Sequence, residues 1–401
     1  MRVAVLAEWY PSLVDPVHGI WAHRQALAAR DAGAEIRVVV ARRPIPPRSA
    51  FRQGPHGVAT WLRGVPAFLA PFELDGLSIS TAPFVSPPRP LSYGAWGYWM
   101  APPVARALDR LHADWPFELV HAHCITPPGF AAARWLRRRR IALAVSTHGP
   151  DIISVHARSR WAKHATAAAF DRADLVVANS RWAAERCEAI AGRRLPTEIV
   201  HLGADLPAAQ RKRLPRPTIV TVAHLEARKR HVIVLHALAA LPADHRPDYL
   251  IIGDGPARGQ IERIARELRL SDRVRIAGQL DNARALQELA SCHLFVMPSV
   301  DEPFGVAYVE AMAAGLPAVA VRGEGGPDDI AAAGGGIALV PRDDHRAVAA
   351  AIADALSDPA RLAAQSAAAR ETVARHFTWG HCGRRTVDAY QRAVDGLVGS
   401  S

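Results

Sequence analysis

Glu302 and Glu310 stand on either side of a Pro303-Phe304-Gly305 turn in the stretch SVDEPFGVAYVEAMAAGLPAVAV, residues 299–321. Carboxylates so close in sequence can both accept hydrogen bonds from hydroxyl groups. The flanking runs CHLFVMPS (292–299) and LPAVAV (316–321) have strand character, and the Ala-rich segment between them has helical character. The unit therefore reads strand, loop, helix, strand. In such a parallel crossover the loop and the helix start lie at the carboxyl edge of the sheet, where open α/β folds hold ligands. Pro303, Phe304, Gly305 and Val306 form the helix entry, whose unpaired backbone N–H groups and positive dipole end suit a phosphate. Two acids beside an anion site repel the anion unless they serve its hydroxyl-bearing neighbours. A nucleotide diphosphate sugar meets both conditions, with the diphosphate at the helix start and sugar and ribose hydroxyls on the acids. The blander alternative is a loop Glu and a helix-surface Glu with no shared task.

Cation usage singles out a second candidate. The chain has 46 Arg but only three Lys, at 163, 212 and 229. A generic surface cation here would be Arg, so Lys229 in VAHLEARKRH (222–231) marks a place suited to a compact point charge, as on phosphate. His148, in STHGPD (146–151), follows another strand-like run and so also falls at a carboxyl edge, with Asp151 three residues on.

The elements that must position these residues form two series. RVAVLAE, GIWAHRQALAARDAG and EIRVVVA make a first strand, helix and strand, and FELVHAH, ALAVSTH, LVVANS and TEIVHLG supply further buried strands up to residue 203. Residues 43–103, rich in Pro and Gly and carrying Trp61, Trp96 and Trp99, read as an elaborated loop region. The proline-bounded polar stretch at 207–217 reads as a linker. A second alternation begins with TIVTVAH and runs through DYLIIGDG and RVRIAG into the 292–321 unit. The expected domains are therefore 1–206 and 218–375, each a doubly wound α/β layer, facing a central cleft, with residues 376–401 as a C-terminal helix packing back toward the first. No GxGxxG follows the first strand, where AEWYPSLVDPVHG stands instead, which argues against a nicotinamide or flavin dehydrogenase.

Half of the 401 residues are apolar, as in an ordinary globular protein. The net charge of +11 is uneven: residues 1–205 carry 25 Arg and Lys against 16 Asp and Glu, the remainder 24 against 22. Zinc-finger, RNP-type and helix-turn-helix patterns are missing from the sequence, so nucleic acid is not the expected partner. An anionic membrane face or a phosphate-bearing acceptor suits the basic first half better. The densest cluster, RWLRRRR at 134–140, also reads simply as a solvated helix end. The five-residue apolar run near the N-terminus is short for a signal peptide and no 18-residue apolar segment occurs, so a cytoplasmic protein is expected. The four Cys lack metal-ligand spacing and are expected to be inert thiols.

With these pieces in order, the sequence resembles the retaining glycosyltransferases of the GT-B fold, specifically the large family four. The most specific element is Glu, seven residues, Glu with the embedded PFG, matched by Glu302 and Glu310; IIGDGP, ELASCHLFVMPS, EAMAAGLPAV, HGPD and VANS support it in order. The resemblance implies transfer of a sugar from a nucleotide diphosphate sugar, such as a UDP-sugar, to an acceptor hydroxyl, without metal or other cofactor. It assigns Glu310 to the ribose hydroxyls, Glu302 to the donor sugar, Lys229 and the Phe304–Val306 backbone to the diphosphate, Gly19 to a glycine loop whose backbone approaches the donor phosphate or the acceptor, and His148 to the donor sugar. Asp151 is implied either to orient His148 or to meet the acceptor. The family pattern Gly-Arg-Leu followed by Lys-Gly is broken here: His224 occupies the Arg position and Arg230 the second Gly, so Arg228 or Arg230 is expected to compensate. A lipid-linked saccharide acceptor in envelope or extracellular polysaccharide assembly, at the cytoplasmic membrane face, is the setting implied. A sugar-nucleotide-binding protein without turnover, or another GT-B reaction such as epimerisation or phosphorolysis, are the competing readings.

Overall fold

The computed structural model describes residues 1–12, 15–46, 48–208 and 211–399. The expected linker 207–217 includes residues 209 and 210, and the expected C-terminal helix includes 400 and 401; these four lie outside the described residues. Two compact units are present, one built from Met1–Asn179, Ala183–Val200 and the segment from Cys382 onward, the other from Ser180–Trp182 and His201–His381.

The first unit holds an eight-stranded sheet. Its strands are β1 (Arg2–Ala7), β2 (Glu35–Arg42), β3 (Phe72–Leu74), β4 (Leu77–Pro83), β5 (Leu119–His123), β6 (Ala142–Ser146), β7 (Leu175–Ala178) and β8 (Thr197–Ile199), in spatial order β3-β4-β2-β1-β5-β6-β7-β8. All neighbours are parallel except β3 and β4. Central strands such as VAVLA, LVHAH and ALAVS are buried along their whole length, because helices cover both faces of a parallel sheet and leave no solvent side. From Cys382 the terminal helix Trp379–Gly399 belongs to this unit: Tyr390 meets His121 Nδ1 at 2.6 Å, and Gln25 Nε2 donates to Thr386 Oγ1 at 3.2 Å.

Residues 43–103 are more regular than expected. They contain the helix Gly54–Leu69, the β3–β4 hairpin and the start of the helix Trp96–Asp114. Pro55 sits in a helix first turn, where its missing N–H costs nothing. Asp75 and Gly76 both have positive φ, 51° and 77°, and make the two-residue hairpin turn. Trp96 is buried at its helix start against Phe84 and Tyr93, whereas Trp99 is exposed.

The second unit holds a six-stranded, all-parallel sheet of β9 (Thr218–Val222), β10 (Asp248–Ile252), β11 (Val274–Gly278), β12 (Leu294–Val296), β13 (Ala318–Val321) and β14 (Ile337–Val340), in order β11-β10-β9-β12-β13-β14. Ile219, Val234, Leu235, Ile251, Val296, Val319 and Ile352 lie in its core. The order reverses between β9 and β12, and the loops after these two strands meet at their carboxyl ends, the switch point where open α/β sheets hold ligands. In the first sheet the same reversal falls between β1 and β5.

The chain leaves the first unit after Val200, six residues before the expected boundary. Residues 201–206 belong to the second unit because Ala204 bridges to Thr378, its N–H donating to Phe377 O at 2.8 Å. The same contact keeps residues 376–381 in the second unit, where Phe377 packs with Phe304 and His201. No helix among the described residues is long and apolar enough to cross a membrane. Cys187, Cys292 and Cys382 are buried and Cys124 half-buried, all as free thiols.

Candidate functional site

In the second unit the reversal of strand order brings together residues more than seventy positions apart. Lys229 ends a short 3-10 turn (Ala227–Lys229) after β9, and Glu302 sits on the loop after β12. The two loops are stitched by Val300 N–H donating to Arg228 O at 2.9 Å. Lys229 Nζ donates to Glu302 Oε2, and both side chains are nearly buried, 10% and 7% exposed. Ser299 Oγ donates to the same oxygen at 3.1 Å, and Glu302 N–H donates to Glu324 Oε2 at 3.0 Å. Arg228 Nη1 lies 3.6 Å from Glu302 Oε2 yet is buried without a hydrogen-bond partner. Such an orphan donor at a sheet's carboxyl edge suits an incoming anion. Burial raises the Glu302 carboxyl, but Lys229 and Arg228 outweigh it and hold the pKa below the ordinary value of 4.5. Glu324, also buried, is instead pushed up, because desolvation outweighs the Glu302 N–H bond it accepts.

The helix Val306–Ala313 begins at Gly305, whose φ of 78° is left-handed and whose added Cβ would lie 2.6 Å from the Tyr308 ring. Only Gly fits that position. Tyr308 lies beneath and donates to Met297 O, so the loop is fastened at both ends. The Phe304 ring is buried and stacked on His201, which leaves the backbone of Phe304, Gly305 and Val306 as this segment's contribution to an anion site. Glu310 is half-buried on the first turns of this helix. His224 is 60% exposed at the end of β9, its Nε2 3.9 Å from Glu226 Oε1. Of the two arginines expected to compensate for it, Arg228 faces Glu302, whereas Arg230 pairs with Asp343 at 2.7 Å. Arg230 has φ 58°, which explains a glycine at that place in the pattern it departs from.

In the first unit Gly19 caps the helix Ile20–Asp31 with φ 74°, and a Cβ there would collide with the Trp9 carbonyl. The loop after β1 is thus folded tightly on itself, with Trp9 stacked on His18 at 4.9 Å. His148 follows β6. Its Nε2 meets His123 Nδ1 at 2.9 Å, and its ring lies 5.9 Å from Trp21. Asp151 is buried: Oδ1 accepts from Thr147 Oγ1 and from the N–H groups of His148 and Gly149 at 3.0–3.2 Å, and Oδ2 accepts from Ile125 N–H at 3.1 Å. Three of these bonds hold residues 147–149, the loop that presents His148, and the fourth ties that loop to Ile125 after β5. Desolvation nevertheless raises the Asp151 carboxyl.

Several neighbours escaped the sequence reading. His121 and His123, two apart on β5, project from one face with rings 4.3 Å apart, and His121 Nε2 meets Ser146 Oγ at 2.5 Å. Burial drives both His121 and His148 down to about 3, and His123 falls well below its ordinary value through burial and its two imidazole neighbours. His148 is therefore a neutral hydrogen-bonding imidazole at ordinary pH. Glu8, after β1, accepts from Arg89 at 2.9 Å and Tyr93 at 3.0 Å, and burial still raises its pKa. The signals were present: period-two His in a strand, and acids (Glu8, Glu324) just past strand ends.

The chain matches the model "Glycosyl transferases group 1" over residues 204–372 and "Glycosyltransferase Family 4" over 18–208. Its two sheets, one parallel throughout and one parallel except for β3, have the GT-B architecture, shared with the Anabaena HepE structure in complex with UDP-glucose at a TM-score of 0.69 and 19% identity, covering all of both chains. The chain belongs to the group 1 glycosyltransferases and is a transferase. Similar relatives include the 2-deoxystreptamine glucosyltransferase of Streptomyces kanamyceticus, 28% identical over 74% of this chain and 82% of that one. Another is the GDP-mannose-dependent alpha-(1-6)-phosphatidylinositol monomannoside mannosyltransferase of Mycolicibacterium smegmatis, 26% identical over 72% and 80%.

Two outcomes follow from the geometry. Lys229→Met leaves the buried Glu302 with Arg228 as its one nearby cation among the described residues and is expected to cost about 3–5 kcal/mol in urea unfolding, whereas adding Glu302→Gln to it should recover much of that loss. The wild-type pair, whose folded carboxyl pKa is lowered, contributes fully above about 4.5 and is lost as pH falls through the lower folded value; the double variant should lack that acid limb. The buried imidazoles act at higher pH. His121 and His123 stay neutral in the fold while the unfolded chain takes up protons below about 6.5, so stability should fall as pH drops below that value, down to about 3 for His121, approaching about 1.4 kcal/mol per pH unit for each. Melting curves from pH 7 to 5 check this, and His123→Gln should flatten the slope.

Proposed function

We propose that the protein transfers a glycosyl group from a nucleotide diphosphate sugar to an acceptor hydroxyl with retention of the anomeric configuration and without a divalent ion. The observation that carries this reading is the buried Lys229–Glu302 pair at the strand-order reversal of the second sheet, beside Arg228 Nη1, which is ion-paired to Glu302 but makes no hydrogen bond, and the start of the helix Val306–Ala313. Lys229, Arg228 and the backbone N–H groups of Phe304, Gly305 and Val306 meet the diphosphate, so the leaving group's charge is balanced by fixed donors. Glu310 accepts from the ribose hydroxyls, and Glu302, kept ionised by its cations, accepts from the donor sugar. In the first unit, neutral His148, held by Asp151 and His123, offers one hydrogen bond to a sugar hydroxyl. The bond from the anomeric carbon to the phosphate oxygen breaks, the acceptor oxygen bonds from the same face, and its proton passes to the departing phosphate.

The relatives named above use glucosyl and GDP-mannose chemistry, and HepE was crystallised with UDP-glucose, which supports a sugar nucleotide as donor. The mycobacterial relative acts on a phosphatidylinositol mannoside, and the first half of this chain carries an excess of nine positive charges, 25 against 16. Both favour a lipid-linked acceptor in envelope or extracellular polysaccharide assembly, met at the cytoplasmic face of an anionic membrane.

A thermal-shift panel of UDP-, GDP- and ADP-sugars identifies the donor, since a ligand at 100 times its Kd adds about 2.7 kcal/mol. With that donor, product analysis by NMR is expected to show the donor's anomeric configuration retained, with chelator present. Glu310→Ala should weaken both the nucleoside and the nucleoside diphosphate. Arg228→Ala should weaken only the diphosphate, by about 1.5–3 kcal/mol. An inverted product would remove the retaining mechanism, and equal losses of nucleoside and diphosphate in Arg228→Ala would remove the phosphate assignment.

A further inference from the structure

The helix Gly54–Leu69 carries apolar residues at Val58, Trp61, Leu62, Val65, Phe68 and Leu69, the helical spacing of a face that normally packs into a core. None of the six is buried. The one buried residue of the helix is Gly57, whose Cβ position abuts the adjoining segment at Ala50 and Gln53. At its far end the helix is pinned to the sheet edge: Arg42 Nη1 donates to Phe68 O at 3.0 Å, its guanidinium lies 4.6 Å over the Phe68 ring, and Thr81 Oγ1 donates to Leu69 O. The middle projects, with Leu62 54% exposed and Phe51, just before the helix, 59% exposed. Gly57, Gly64 and the internal Pro66 make this a poor helix by propensity. Such a sequence keeps helical form because its apolar face gains from a covering surface.

Charge decides what covers it. Residues 36–72 contain six Arg and neither Asp nor Glu, and the side chains opposite the apolar stripe include His56 and Arg63, both exposed. A second copy of the chain would bring two such acid-free basic segments together. An anionic bilayer accepts them, while Trp61, Leu62 and Val65 enter the boundary between headgroups and acyl chains.

We propose that the helix Gly54–Leu69 is an interfacial anchor that lays the first unit on an anionic lipid surface. The inference deepens the membrane setting of the proposed function and rests on that reading for its biological purpose, but lipid binding is measured without donor or acceptor. Flotation of the full chain with phosphatidylcholine vesicles, with and without phosphatidylglycerol, tests it. Wild type should float with the anionic vesicles alone and dissociate as salt shortens the Debye length below about 8 Å. Leu62→Asp, at an exposed site, should keep the melting temperature and lose roughly tenfold or more in vesicle affinity. Arg52→Glu combined with Arg63→Glu should give a comparable loss that high salt no longer deepens. Equal flotation of Leu62→Asp and wild type would overturn the proposal, as would equal binding to neutral vesicles. So would a wild-type dimer that ignores vesicles and that Leu62→Asp splits, which would make the face a self-association surface. Donor binding measured on the same samples separates the two readings: a chain that binds sugar nucleotide but not vesicles refutes the anchor alone.

Discussion

A buried ion pair survives in a protein only where something holds both charges in register, and here the reversal of strand order between β9 and β12 does so. It places the β9 and β12 loops side by side, and the bond from Val300 N–H to Arg228 O fixes their spacing. The cost of dehydrating Glu302 is offset by Lys229, Arg228 and Ser299. This network sits next to the start of the helix Val306–Ala313, so a fixed set of cations and backbone donors converges on one small region. On the function proposed above, a diphosphate would meet donors already oriented, and a sugar a carboxylate already ionised.

The first unit solves a different problem. Its polar groups at the carboxyl ends of β5 and β6 are neutral imidazoles, kept so by burial and by one another, and the chain of contacts from Tyr390 through His121 to Ser146 ties them to the terminal helix. Neutral donors and acceptors orient hydroxyls without competing for phosphate. Charged donors in the second unit and neutral imidazoles in the first are each set by the environment that their own sheet provides.

Much of this was legible before any coordinates. The strand-loop-helix-strand pattern around residues 292–321 set Glu302 and Glu310 at a sheet edge, and the scarcity of Lys singled out Lys229. Their direct pairing was not legible, because sheet order, not local pattern, makes neighbours of residues 73 apart. The period-two His of β5 was present in the sequence but stood out little, since a strand buried on both faces has no polar alternation to set His121 and His123 apart. The Pro and Gly of residues 43–103 misled for a related reason: Pro55 in a first helical turn and Asp75-Gly76 in a hairpin are compatible with regular structure, and only their position within the element decides. Arg230 at φ 58° is the reverse case, a residue whose strain is visible only in the backbone.

The scarcity of lysine also supplies the most direct test of the donor site. Protein labelled with 13C at the lysine ε position should give three resonances, from Lys163, Lys212 and Lys229, each assigned by substitution with Arg. Titration with the cognate nucleotide diphosphate sugar should move the Lys229 resonance and leave the other two in place, and the free nucleoside should move it far less. A Lys229 resonance that stays fixed while donor demonstrably binds would contradict the account, because the buried pair at the strand-order reversal would then not be where the diphosphate lies.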